Sequence, residues 1–446
     1  MSRPWAVAIL ALALLLAGTV ASPAFEDAAA LYERGDFRGA ITQAEAAMRR
    51  GEDSGRLRTL LGWSHYKAGE RPQAREQFER ALAMAPRDAN AFYAWEGLGW
   101  IAYHAGDHDR AIAAFAHALR GSPGYHHAHE GLGWAYLARR DYGSAEGHFT
   151  AALRANSDGT EARRGLAWVA YHRGDWRRAI DRLREVLRHD ERDTVARSGL
   201  AWAYFRRGEL KAARRAFEDV ARREPAWADP LAGLAWIAER EGRTADAKAG
   251  FRAAMAKSAA YVNTGEFRQL VAGRAEWRDL WLEVGWALYH QRAFTSAERE
   301  FRALLEQSPR NADALRGLGY TLYAVKRFRD AIAALQQSLV VDARLPPVNE
   351  RVEIPGAPGL HPVVSDATST LAWSHFQLGQ YDEAQRLFRE VTQRQPEWAD
   401  PYSGLGWTLA RLGDRAAAAH AFRESLRRLP SHPDARIGLR TLGFER

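Results

Sequence analysis

The sequence predicts an all-α fold of stacked helix pairs closed by a short terminal helix, and three observations predict it. A 34-residue stretch, Thr194 to Trp227, recurs about eleven times along the chain. Within each copy, apolar and small residues recur three and four apart in two runs, the spacing of amphipathic helices rather than of strands. In the Thr194 copy these are Leu200, Ala201, Tyr204, Ala213, Phe217 and Val220, with Gly208 between the runs and Pro225 near the end. Stacked repeats of this kind form one elongated array in which each unit contacts only its neighbours, so length does not translate into a count of globular domains.

With Thr194 as slot 1, the copies register on slot 8, always Gly or Ala: Ala28, Gly62, Gly99, Gly133, Ala167, Ala201, Ala235, Gly285, Gly319, Ala372 and Gly406. Slot 20 is Ala throughout, and slot 24 is Phe in eight copies, from Phe78 to Phe422. A small residue facing a large one is a packing signature between two helices. Slot 15 is Gly in eight copies, where the turn between helices needs a positive φ. Arg140, Arg292 and Lys326 depart from this.

This period, with Gly or Ala after Leu, Ala at slot 20, Phe at slot 24 and Pro at slot 32, resembles the tetratricopeptide repeat family. The resemblance implies a right-handed superhelical solenoid of about eleven helix-turn-helix repeats, a concave groove lined by the first helix of each repeat, and a scaffold that is not an enzyme.

Taken in order, residues 1–24 read as a signal peptide. Arg3 precedes an apolar run from Ala6 to Ala21 that ends in small residues, and the run is shorter than the roughly twenty needed to span a bilayer. The expected location is periplasmic or secreted, with membrane association only through partners. Repeats 1–7 occupy 25–261, an insert follows at 262–277, repeats 8 and 9 fill 278–345, and repeats 10 and 11 fill 365–432. Between them, 346–364 (PPVNERVEIPGAPGLHPVV) is predicted as a loop, because its five prolines cannot continue a helix. Residues 433–446 are predicted as a capping helix, with Ile437, Leu439 and Leu442 among arginines.

The candidate binding residues come from one face of the first helices. At about 100° per residue, slots 4, 7, 8 and 11 form the packed stripe and slots 2, 5, 9, 12 and 13 lie opposite. Slot 9 is Trp63, Trp100, Trp134, Trp168, Trp202, Trp236, Trp286, Tyr320, Trp373 and Trp407 in successive repeats. Slot 12 adds Tyr66, Tyr103, Tyr171, Phe205, Tyr289, Tyr323 and Phe376. The family usually carries a polar residue at slot 9, so this chain departs from it where the resemblance places a ligand. Two readings stay open: the indoles pack between neighbouring first helices, or they line a groove, and one indole can do both. A groove-exposed Trp202 would cost within about 0.5 kcal/mol when cut to Ala, whereas buried Phe217 would cost about 3–5 kcal/mol.

Other features read as structural. His126, His127 and His129 point in different directions from a helix start and supply no ligand quartet, so no metal is expected. Asp229-Pro230 and Asp400-Pro401 read as N-caps followed by proline. The sequence has no cysteine, which excludes disulfides and thiolate chemistry. No phosphate loop, nucleophile elbow, His-Glu-x-x-His or dinucleotide fingerprint is present, and no cofactor is implied. An enzyme would need the 346–364 segment, with Glu350, Glu353 and His361, to close over a site. Net charge is +8, but spread over this length it favours anionic partners only mildly. Nucleic acid conflicts with the export signal. The expected function is a scaffold holding an extended ligand, polysaccharide or a protein partner, in an aromatic groove, with a peptide-binding adaptor of the cell envelope as the alternative. The sequence does not address oligomeric state.

Overall fold

The computed structural model describes residues 23–84, 90–258, 265–271, 274–342, 348–353 and 360–444. The apolar run of residues 6–21 lies outside them. Among the described residues no helix is long and apolar enough to cross a membrane.

The chain divides into two compact units, the first ending at Ala226 and the second beginning at Trp227. The first holds α1 (Pro23–Glu33), α2 (Phe37–Arg49), α3 (Gly55–Lys67), α4 (Arg71–Met84), α5 (Ala91–His104), α6 (His108–Gly121), α7 (His126–Ala138), α8 (Tyr142–Ala155), α9 (Thr160–His172), α10 (Trp176–His189), α11 (Thr194–Arg207) and α12 (Leu210–Arg223). The second holds α13 (Asp229–Arg240), α14 (Thr244–Lys257), α15 (Gly265–Val271), a 3-10 turn (Ala275–Trp277), α16 (Arg278–His290), α17 (Phe294–Gln307), α18 (Ala312–Ala324), α19 (Phe328–Val341), the strands β1 (Val348–Glu353) and β2 (Leu360–Ser365), then α20 (Ala367–Gln377), α21 (Tyr381–Arg394), α22 (Ala399–Arg411), α23 (Arg415–Arg428) and α24 (Pro433–Thr441). Consecutive helices pack as antiparallel pairs. First helices of successive pairs also touch one another directly, α5 with α7 and α7 with α9 among them.

The helix boundaries follow from local chemistry that recurs along the chain. Gly208 ends α11 at φ +87°, and its N–H reaches the Phe205 carbonyl at 3.0 Å while Glu209 N–H reaches that of Tyr204 at 2.9 Å. These bonds satisfy two carbonyls the helix end leaves open. A carboxylate then restarts the chain as a helix: Asp36, Asp107, Asp141, Asp175 and Asp414 each accept a hydrogen bond from the backbone N–H three residues on. Where slot 15 is not glycine, the backbone is unchanged. Arg140, Arg292 and Lys326 take φ of 62°, 59° and 64°, and Arg140 and Asp141 make the corresponding bonds to Leu137 and Tyr136 at 2.9 Å each.

The core is a column of phenylalanines clamped by small residues. Phe115 is fully buried and lies between Gly99 of its own repeat and Gly131 of the next. A Cβ added at Gly131 would come within 2.4 Å of the Phe115 ring, and one at Gly99 within 2.6 Å. Phe149 is held in the same way by Gly133 and Gly165.

The spacing leaves the form of the 262–277 insert open, and two expectations need correction. In the insert Gly265–Val271 is helical and Ala275–Trp277 a 3-10 turn: Phe267 and Trp277 are each 1% exposed, and both rings pack on Phe251, at 5.2 and 6.0 Å. It takes the place of the next repeat's first helix over that phenylalanine. The 346–364 segment is not all loop, because β1 and β2 pair antiparallel with Val348 opposite Ser365 and Glu353 opposite Leu360. Pro362 falls within β2, and this two-stranded ribbon has open edges where a missing N–H is tolerated; the other four prolines lie outside the described residues. Last, Asp229 and Asp400 lie inside their helices, after Ala228 and Trp398 as caps. Asp400 instead accepts a hydrogen bond from His432 Nε2 at 2.8 Å. The capping helix itself ends at Thr441, with Leu439 buried.

Candidate ligand groove

The helical wheel sets the slot 9 rings opposite the packed stripe, and in the structure they nonetheless pack, one of the two readings the sequence leaves open. None of the ten is more than half-exposed, and Trp63, Trp100 and Tyr320 are buried. Each tryptophan with a slot 24 phenylalanine meets it edge to face. Centroid distances are 5.5 Å for Trp63 and Phe78, 5.2 Å for Trp134 and Phe149, and 5.0 Å for Trp202 and Phe217. The reason is reach: a wheel places Cβ directions, but an indole is long enough to swing back over the preceding turn to the partner helix. Slot 12 rings brace the other side, with Tyr103 5.7 Å from Trp100 and Tyr171 5.3 Å from Trp168. Phe205 is buried, while Tyr66, Tyr103, Tyr171, Tyr289 and Tyr323 are half-buried. In the second unit Arg316 lies over the Trp286 ring at 5.3 Å, Tyr320 packs 5.9 Å from Trp286, and Trp236, Trp373 and Trp407 repeat the Phe contact.

Beneath the rings runs a buried polar row that sequence reasoning missed. Slot 5 is Glu96, Glu130 and Arg164 in three successive repeats, and slot 2 is Tyr93, His127 and Glu161. Glu96 is 3% exposed and accepts from Trp100 Nε1 at 3.3 Å and from the Tyr125 hydroxyl. Burial raises its carboxyl above the ordinary range, against the lowering effect of His127 and the two hydrogen bonds. Burial likewise pushes Tyr93, whose hydroxyl has no hydrogen-bond partner among the described residues, up to about 12, with Glu96 adding to it. Burial pulls Lys67 down to about 8. Burial also lowers His127, but its bond with Glu130 (3.1 Å) and the charges of Glu96, Glu130 and Glu161 outweigh this, and the net shift is upward. Arg164 closes the row by joining Glu161 and donating to Asp193 at 2.9 Å. In the second unit slot 2 carries Asp313, Asp366 and Asp400, and Asp434 takes the corresponding place in the capping helix, each bonded to a neighbouring side chain. The recurrence of polar residues at slots 2 and 5, one repeat apart, was the available signal.

One cleft opens along this face in the first unit. It has a volume of about 640 Å³ and is lined by Tyr103, Trp134, Leu137, Ala138, Arg140, Tyr142, Trp168 and His172. It exists because repeat four carries Leu137 and Ala138 where the repeats on either side carry Tyr103 and His104, and Tyr171 and His172. Tyr142 and His172 stack at its edge, planes 6° apart. Burial lowers His172, and the Arg140 charge adds to this.

The three histidines near the start of α7 do not converge on one point: His126 packs against the His127 ring, His127 bonds Glu130, and His129 Nδ1 lies 3.1 Å from His148 Nδ1. Among the described residues no group of three or more His, Cys, Asp or Glu could hold a metal ion.

Helix pairs in register, an αL turn in each copy and small-residue clamps on phenylalanines such as Phe115 and Phe149 define a helical-repeat scaffold. Models of the tetratricopeptide repeat match residues 25–89, 59–126, 131–194, 170–237, 282–347 and 369–433, and the chain belongs to that family. No curated protein matches it. Similar solved structures include a tetratricopeptide repeat protein from Parabacteroides merdae ATCC 43184, 21% identical with a TM-score of 0.44 over 53% of this chain and 92% of that one. PilW, described as a widely conserved type IV pilus biogenesis factor, is 21% identical with a TM-score of 0.43 over 49% of this chain and 98% of its own. YrrB, described as having an unusual peptide-binding site, is 22% identical with a TM-score of 0.33 over 41% and 93%.

Proposed function

We propose that this protein is an exported, non-catalytic tetratricopeptide scaffold whose aromatic row holds an extended ligand, with a polysaccharide as the favoured class and a protein partner as the alternative. The observation that carries the reading is the cleft in the first unit. There the faces of Trp134 and Trp168 border open space of about 640 Å³, while the same rings remain anchored from behind by packing such as that of Trp134 on Phe149. A ring fixed on one side and free on the other costs little ordering entropy when a ligand stacks on it. Export rests on the apolar run of residues 6–21 and the small residues after it, and Phe25 is already packed in the core of the first repeat.

A glycan array and a peptide array probed with the same purified chain test the ligand class. Retention on extended glycans, lost on replacing Trp134 and Trp168 together by Ala, is the expected result, and retention on peptides alone would overturn it. Mass spectrometry of protein recovered from the native host should give a new amino terminus near Ser22 or Phe25, and a mature chain beginning at Met1 or Ser2 would remove the export reading.

A further inference from the structure

The cleft between Trp134 and Trp168 carries an unpaired cation. Arg139 spends its guanidinium on Asp109 at 2.7 Å, and Asp141 spends its carboxylate on the backbone N–H and hydroxyl of Ser144, at 3.1 and 2.7 Å. Arg140, between them, is exposed and pairs with no carboxylate among the described residues, whereas Arg173 and Arg178 nearby share Glu146. Its backbone sits at φ 62°, where eight other repeats have glycine and where a side chain costs of order 1 kcal/mol. Arg292 and Lys326 take the same strained φ, but Arg140 also borders the cleft and has no carboxylate partner among the described residues, which leaves its guanidinium open to a ligand.

The lining sets the chemistry of the ligand. The cleft offers indole, phenol, imidazole and guanidinium groups, and no carboxylate or carboxamide. It therefore presents flat aromatic faces and hydrogen-bond donors, with few acceptors for the N–H groups of a peptide backbone. A pyranose ring bearing a carboxylate meets both conditions, because its C–H face stacks on indole while its carboxylate accepts a bidentate pair from guanidinium. We propose that this cleft is a subsite for an acidic sugar residue of an extended polysaccharide, with Trp134 and Trp168 as stacking walls and Arg140 as the carboxylate anchor. The proposal rests on the groove reading above and narrows it to a charge and a place.

The test titrates the full chain, followed by indole fluorescence, with oligogalacturonate, its methyl ester, and poly-L-glutamate. Arg140→Gly, Arg140→Lys and Ala138→Tyr are compared with wild type, with melting curves run alongside. Expected are binding of oligogalacturonate, a loss of at least about tenfold in Arg140→Gly and in the methyl ester, as befits one charge-assisted pair, and partial retention in Arg140→Lys. Ala138→Tyr, which fills the cleft, should abolish binding without lowering the melting temperature. If the acid and its ester bind alike and Arg140→Gly changes nothing while Ala138→Tyr blocks both, the anionic subsite is wrong and the groove stands. Equal, Arg140-dependent binding of poly-L-glutamate would overturn the sugar assignment in favour of an acidic peptide. Binding of oligogalacturonate that neither substitution alters would place the site elsewhere and overturn the cleft. Failure of all three probes to bind wild type would overturn the subsite and, with a blank glycan array, the polysaccharide reading as well.

Discussion

The ring of Trp202 stands edge to face against that of Phe217, centroids 5.0 Å apart and planes at 80°. Trp202 is half-buried and Phe217 fully buried, so the two share one packing unit. Trp202→Ala is therefore expected to destabilise by about 2 kcal/mol, from lost area and the edge-to-face pair, and Phe217→Ala by about 3–5 kcal/mol. Because they touch, the double variant should lose less than the sum, which a double-mutant cycle in urea measures directly. Additive losses would mean the contact contributes nothing.

Arg140→Gly should raise stability by up to about 1 kcal/mol, since glycine adopts the positive φ without a Cβ penalty. Arg292→Gly and Lys326→Gly, at φ 59° and 64°, should behave alike. Thermal melts check this, and a fall in all three would show that a cation at the end of the first helix outweighs the strain.

Gly131→Ala should cost about 1–3 kcal/mol, because its new methyl would fall 2.4 Å from the Phe115 ring. Phe115→Leu introduced with it should recover part of the loss. A fully tolerated alanine would show that the phenylalanine column shifts freely between repeats.

The Glu96 row predicts a pH dependence. Burial raises the Glu96 carboxyl, so as pH rises above the ordinary carboxylate range the unfolded chain ionises while the folded chain resists, and stability is lost toward the folded pKa. His127, raised on balance, contributes stability that is present below its unfolded pKa and is lost as pH rises through the folded one. Glu96→Gln removes the first effect and weakens the second. Its melting temperature relative to wild type should therefore climb between about pH 4 and pH 8. A difference independent of pH would show that Glu96 ionises as freely in the fold as in the unfolded chain.

How much was legible in the sequence follows from the range of the forces involved. The period, the two helices of each copy, the glycine turn at Gly208 and the Phe217 core position are local matters of spacing and backbone freedom, and a sequence read at slot resolution determines them. Tertiary structure decided where long side chains end. Trp202 leaves slot 9 on the far side of the wheel and arrives at Phe217 because a nine-atom ring system reaches farther than its Cβ direction indicates. Glu96 finds Tyr125, and Arg164 finds Asp193, only once the second helix of the copy has folded back, since each partner lies 29 residues on, at the end of the same copy. Stacking buries Phe267 and Trp277 of the insert against Phe251, a pairing no periodicity announces. Above all, the cleft at Ala138 is defined by what its neighbours carry: a small residue makes a cavity only when Tyr103 and His172 from the adjoining repeats stand around it.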